Sequence, residues 1–107
     1  MSLIYKILSS AEWTAALAIG RFEGSGIDRA DGFIHFSTAD QWRETLRLYF
    51  AGRSDLVLVG VQTEALGDEL KWEPSRGGAL FPHLYGPLPT ALAVSVKPLA
   101  PVPGGPG

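Results

Sequence analysis

The sequence predicts a small α+β domain in which split, mixed sheets carry two helices. Strand-like alternation and Val/Leu runs occur near the start, in the middle and near the end of the chain, whereas apolar residues recur at helical spacing in only two places. After residue 62 the strands follow one another with no helix between them, which excludes a regular doubly wound order. A chain of 107 residues supports one hydrophobic core. The expected organisation is therefore a single domain over residues 1–99 and a disordered Pro/Gly tail over 100–107.

The elements follow in order. Leu3 to Leu8 reads as a strand, and Ser9-Ser10-Ala11-Glu12 supplies a capping-box pattern that starts a helix near Ala11, ending at Ile19 before Gly20. Trp13, Ala16 and Leu17 form its apolar stripe. Glu23 to Gly26 is a glycine-rich break, continued by a polar loop over Asp28 to Gly32. Phe33 to Ser37 is the next strand. Thr38 and Gln41 repeat the capping-box logic, with Thr38 as N-cap of a helix on which Ala39, Trp42, Leu46, Tyr49 and Phe50 share a face. Trp13, Trp42 and Tyr49 read as core residues.

Asp55 to Gln62 is nearly all Val and Leu, as in a central strand covered on both faces. Leu70 to Glu73 is a short strand that Pro74 to Gly78 interrupts with a flexible tip. Proline at 82, 87 and 89 argues against a helix there and against a central strand. Leu92, Val94 and Val96 alternate in a final strand over Ala91 to Lys97, and Pro101 to Gly107 offers nothing to pack.

Composition narrows function. The hydrophobic fraction of 46% with 19% charged residues belongs to a folded globular chain. The absence of cysteine removes disulfides and thiolate metal sites and fits a reducing, cytoplasmic setting. A net charge of −2 with scattered Lys and Arg gives no nucleic-acid footprint. The longest apolar run is too short for a membrane span. A small-molecule ligand is the expected partner.

The chemistry concentrates in two clusters, Asp31-Gly32-Phe33-Ile34-His35-Phe36-Ser37-Thr38 and Phe81-Pro82-His83-Leu84-Tyr85-Gly86, which hold both histidines. Strand alternation puts Phe33, His35 and Ser37 on one face. A neutral imidazole offers one donor and one acceptor, which suits a ribose diol, and a helix start at Thr38 would favour a phosphate. His83 and Tyr85 share a parity, and a tyrosine ring can stack on a base. Glu73, beside Trp72, can serve as a general base if it is folded against this site. Two other readings use the same residues. One is a protein-interaction module in which Trp72, Phe81, Leu84 and Tyr85 form an exposed patch. The other is a metal-assisted hydrolase holding its ion on His35, His83 and either Glu73 or Asp31.

Together with Ile4-Tyr5-Lys6-Ile7, Asp55-Leu56-Val57-Leu58 and Lys71-Trp72-Glu73, these clusters resemble domain-of-unknown-function family 952, a family of small bacterial proteins. The resemblance covers nearly the whole chain outside its tail. It implies an ADP-ribosyltransferase-like fold, with a cleft between two small sheets. In that superfamily an early strand carries a histidine or arginine that contacts the adenosine ribose of NAD, a role that falls to His35 with Ser37 beside it, and Tyr85 matches the aromatic or Ser/Thr motif beside the nicotinamide. The late-strand catalytic glutamate has no counterpart, because Ala91 to Lys97 contains no acidic residue and Glu73 is the last one in the chain. Binding of an NAD-like nucleotide or ribose phosphate through His35, Ser37, Thr38 and Tyr85 is therefore expected, with Glu73 and His83 as the candidate catalytic groups. Transfer chemistry lacks its main electrostatic stabiliser.

Overall fold

The computed structural model describes residues 2–102 and contains three α-helices and nine strands. The strands are β1 (Leu3–Ser9), β2 (Arg21–Phe22), β3 (Ile34–His35), β4 (Ser37–Thr38), β5 (Leu56–Gln62), β6 (Leu70–Pro74), β7 (Leu80–Leu84), β8 (Leu88–Pro89) and β9 (Ala93–Pro98). The helices are α1 (Ser10–Ile19), α2 (Gly26–Asp31) and α3 (Trp42–Tyr49). The strands form a four-stranded sheet in the order β4-β1-β5-β9, a three-stranded sheet in the order β3-β7-β6 and the small pair β2-β8. Every pairing is antiparallel, so the sheets are split, as expected, but not mixed.

The four-stranded sheet is covered on both sides, and strand alternation explains how. Val57, Val59 and Val61 of β5 face the main core with Ile4, Leu8, Trp13 and Phe36. Leu56 and Leu58 face a second cluster with Ile7 and Leu46, against which Trp42 and Phe50 also pack. The same alternation puts Lys6 between Ile4 and Leu8 on the main-core face of β1. A buried ammonium there requires a partner.

Several expectations are corrected. The Asp28–Gly32 stretch is not loop but the end and C-cap of an additional helix, α2, whose Asp28 side chain accepts a 2.8 Å hydrogen bond from the Ser25 N–H. Gly24 just before it has φ +108°, and a Cβ there would lie 2.9 Å from the Asp28 Cβ, so glycine is required for the turn to close on the carboxylate. Phe33–Ser37 is not one strand: pairing breaks at Phe36, and the chain passes from the three-stranded sheet at His35 to the four-stranded sheet at Ser37. The third helix starts at Trp42 with Gln41 as N-cap, not at Thr38, although the Gln41 side chain does reach back to the Thr38 N–H at 3.0 Å. No free helix N–H groups are therefore presented at Thr38.

Pro82 lies in β7, the central strand of its sheet, where proline was not expected. Its carbonyl accepts from the Phe36 N–H at 3.0 Å, and a strand residue's nitrogen points to the same side as its carbonyl. The missing N–H therefore faces Phe36, so the reciprocal bond of that pair cannot form and the pairing of β3 with β7 ends at His35.

Leu17 and Tyr49 are exposed rather than core, and Val94 and Val96 point to solvent from the edge strand β9. The packed chain also continues past residue 99. Val102 lies against the second cluster and accepts a 2.9 Å bond from the Gly52 N–H. The remainder of the expected tail, residues 103–107, lies outside the described residues. No helix among the described residues is long and apolar enough to cross a membrane.

Candidate functional site

The switch of sheet between His35 and Ser37 opens a cleft of about 450 Å³ between the two larger sheets. His35 and His83 are brought together on one face by register. They are directly opposed across β3 and β7, with ring centroids 5.5 Å apart and the rings steeply tilted at 67°. Phe33 holds both in place, stacking on His83 at 4.1 Å and leaning on His35 at 4.6 Å.

Each imidazole is oriented by a carboxylate at Nδ1. His35 Nδ1 lies 2.6 Å from Asp28 Oδ1, and His83 Nδ1 lies 2.7 Å from Glu73 Oε1. A carboxylate at Nδ1 selects the Nδ1–H tautomer and leaves Nε2 as the working nitrogen. His35 Nε2 additionally meets the half-exposed Asp31 Oδ2 at 2.9 Å, so both contacts are hydrogen bonds only when the ring is doubly protonated. His83 is buried apart from its opening on the cleft, and its Nε2 has no partner among the described residues. The His35 side chain is 31% exposed, enough for a ligand to reach it.

Asp28 anchors the arrangement. It is 1% exposed and accepts from Lys6 Nζ at 2.9–3.0 Å, from the His35 N–H at 3.0 Å, from the His35 ring and from the Ser25 N–H. Burial pushes its carboxyl up, but the His35 hydrogen bond and the Lys6 charge and hydrogen bond more than offset this, and its pKa is lowered to about 2. Burial likewise pushes the Lys6 ammonium below its usual range, against the opposing pull of Asp28. Glu73 is held below the usual carboxylate range by hydrogen bonds from His83 and from the Tyr85 hydroxyl, the latter at 2.7 Å. The same bond pushes the Tyr85 hydroxyl up.

The far wall of the cleft is cationic and hydroxylic. Arg76 Nη1 donates to Thr45 Oγ1 at 3.1 Å, and Ser37 Oγ lies 3.2 Å from that same oxygen. The Arg76 guanidinium sits 4.9 Å from the Phe81 ring centroid and forms no salt bridge among the described residues. A guanidinium without a carboxylate partner, fixed by aromatic stacking, is a ready anion receptor.

Of the residues singled out from sequence, His35, Ser37 and His83 line this cleft, and Glu73 stands behind His83. Thr38 does not line it; it pairs with Ile4 in the four-stranded sheet. Tyr85 lines a neighbouring pocket of about 360 Å³ beside Phe33 and reaches the site only through Glu73. Phe81 and Leu84 are buried, so only Trp72 and Tyr85 remain exposed and the expected four-residue patch does not form. Among the described residues no group of three or more His, Asp or Glu side chains is placed to hold a metal ion. Asp28, Lys6, Thr45 and Arg76 went unrecognised. For Asp28 a signal existed, since Ser25-Gly26-Ile27-Asp28 repeats the capping-box spacing that marks α1.

Residues 7–96 match the family described as "Protein of unknown function (DUF952)". The chain belongs to the DUF952 family. Among solved structures, the crystal structure of protein CC0527 from Caulobacter crescentus is similar to this DUF952 chain, with a TM-score of 0.90 and 57% identity over 92% of this chain and 86% of that one. The solution NMR structure of CC0527 gives a TM-score of 0.84 at 57% identity, over 94% of this chain and 86% of that one. No curated protein matches.

Proposed function

We propose that the cleft binds a phosphorylated ribose compound of the ADP-ribose or NAD type. The observation that carries this reading is the convergence on one opening of His35, His83, Ser37 and Arg76, the last without a salt bridge among the described residues. Arg76, with Ser37 and Thr45, supplies a phosphate position, and the partly exposed His35 ring, together with the Asp31 carboxylate at its Nε2, supplies the polar edge toward a ribose. A cleft of about 450 Å³ falls in the range of small-molecule sites. The division into two antiparallel sheets with the cleft between them supports an ADP-ribosyltransferase-like classification. His83, backed by Glu73 and Tyr85, is the group placed to move a proton within the site.

The test is ligand-induced thermal stabilisation with ADP-ribose, NAD and AMP. Ligand at about 100 times its dissociation constant stabilises the fold by roughly 2.7 kcal/mol. Stabilisation that is lost in Arg76→Ala and weakened in His35→Asn supports the reading. Absence of any shift at millimolar concentrations contradicts it.

A further inference from the structure

The geometry points to His35 and His83 as a general acid and general base that together hydrolyse a ribose phosphodiester, with the phosphate held against Arg76. This rests on the binding reading above and deepens it by naming a substrate class and a reaction. Two imidazoles side by side on one sheet face, each oriented by a carboxylate at Nδ1, are equipped to take up one proton and release another in the same event. A structural role explains one buried histidine. It does not explain why both rings open on the same cleft beside an arginine that forms no salt bridge among the described residues.

The two histidines differ in a way that assigns their roles. His35 has carboxylates at both nitrogens, Asp28 at Nδ1 and Asp31 at Nε2, so each ring nitrogen has an acceptor for a proton, and this assigns His35 the role of acid. His83 has one carboxylate, at Nδ1, and an open Nε2, which makes it the base. The base removes a proton from water as the water oxygen bonds to phosphorus. The P–O bond to a ribose oxygen breaks, and that oxygen, replacing Asp31 Oδ2 as the partner of His35 Nε2, takes the proton from it. Diester and water become a monoester and a free hydroxyl, and the histidines recover their starting proton states by exchange with solvent. No redox partner is needed. A ribose alkoxide is a poor leaving group, so the acid is essential, whereas a nitrophenolate leaves without one.

Charged and titratable groups around the pair are Asp28 and Asp31 of α2, Lys6 of β1, Glu73 and Lys71 of β6, and Tyr85 just after β7. Glu73 acts through His83 and is a positioning residue. Its Gln variant is expected to shift the pH profile of the reaction.

The experiment measures hydrolysis of adenosine 2′,3′-cyclic phosphate and of bis(p-nitrophenyl) phosphate by the full chain, by His35→Asn and by His83→Asn. In each variant the amide N–H replaces Nδ1–H, so the carboxylate contact and the fold are retained. Adenosine 3′-monophosphate binding is measured alongside. The expected result is a bell-shaped pH–rate curve for the cyclic phosphate and a loss of roughly 10²–10⁴-fold in each variant. The loss in His35→Asn should largely disappear with the nitrophenyl ester, while that in His83→Asn persists. Monophosphate binding without hydrolysis, or hydrolysis unchanged in both variants, overturns the acid–base pair alone. Absence of both binding and hydrolysis overturns it together with the binding reading beneath it.

Discussion

His35 and His83 are register partners in an antiparallel pair, so the two histidines of a chain that contains only two meet with ring centroids 5.5 Å apart. Directly opposed residues share a sheet face, and here that face borders the cleft. The carboxylates behind them come from different places, Asp28 from a short helix and Glu73 from the adjacent strand.

Removing Asp28 should be the most damaging single change. Asp28→Ala strands the buried Lys6 ammonium and leaves the Ser25 and His35 N–H groups unsatisfied, at an expected cost of about 3–5 kcal/mol in urea denaturation. Replacing the ion pair in Lys6→Met/Asp28→Leu should cost less than the two single changes added together, because no charge is left unpaired.

Acid stability should follow the same carboxylate. Its pKa of about 2 in the fold lies below the ordinary value of 3.8, so its contribution is fully present above about pH 4 and is lost as pH falls through about 2. The shift corresponds to about 2 kcal/mol. Denaturation midpoints measured from pH 5 to pH 2 should fall steeply in the wild type and less steeply in Asp28→Asn.

Gly24→Ala should disturb the site from a distance. A side chain there meets the Asp28 Cβ at 2.9 Å and must adopt φ near +108°, with an expected loss of roughly 1–3 kcal/mol. Hydrogen exchange should show the loosening at α2 and at the His35 N–H bound to Asp28.

Arg76→Lys should separate charge from geometry. Lysine keeps the cation but loses the planar fork and its stacking on Phe81, so ADP-ribose affinity is expected to fall about tenfold, or about 1.4 kcal/mol. Isothermal titration of wild type, Arg76→Lys and Arg76→Ala should rank them in that order.

Much of this was legible in the residues. The Val/Leu run at 56–61 identifies the doubly covered strand, and Ser9 with Glu12 identifies the start of α1, whose two capping bonds both measure 3.0 Å. The concentration of chemistry around His35 and His83 was also visible. What escaped has physical causes. The helix α2 is six residues long, too short to display a periodicity, and its glycine and polar content imitates a loop. Pro82 disguises a central strand because only the pairing of its neighbours shows that its missing donor falls where β3 ends. Lys6 reads as a surface residue until Asp28, distant in sequence, is folded against it. Arg76 belongs to a tip whose position over Thr45 and Phe81 depends on the β6–β7 hairpin closing.

The most direct measurement is a titration of the protein with ADP-ribose followed through the imidazole nitrogens of His35 and His83 in long-range ¹H–¹⁵N spectra. Saturable shifts of both rings, with Arg76 side-chain signals moving in parallel and Tyr85 and Thr38 little affected, are expected if the ligand occupies the cleft. Rings that stay unchanged up to millimolar ligand, or shifts confined to residues away from Arg76, would contradict a binding site between the sheets.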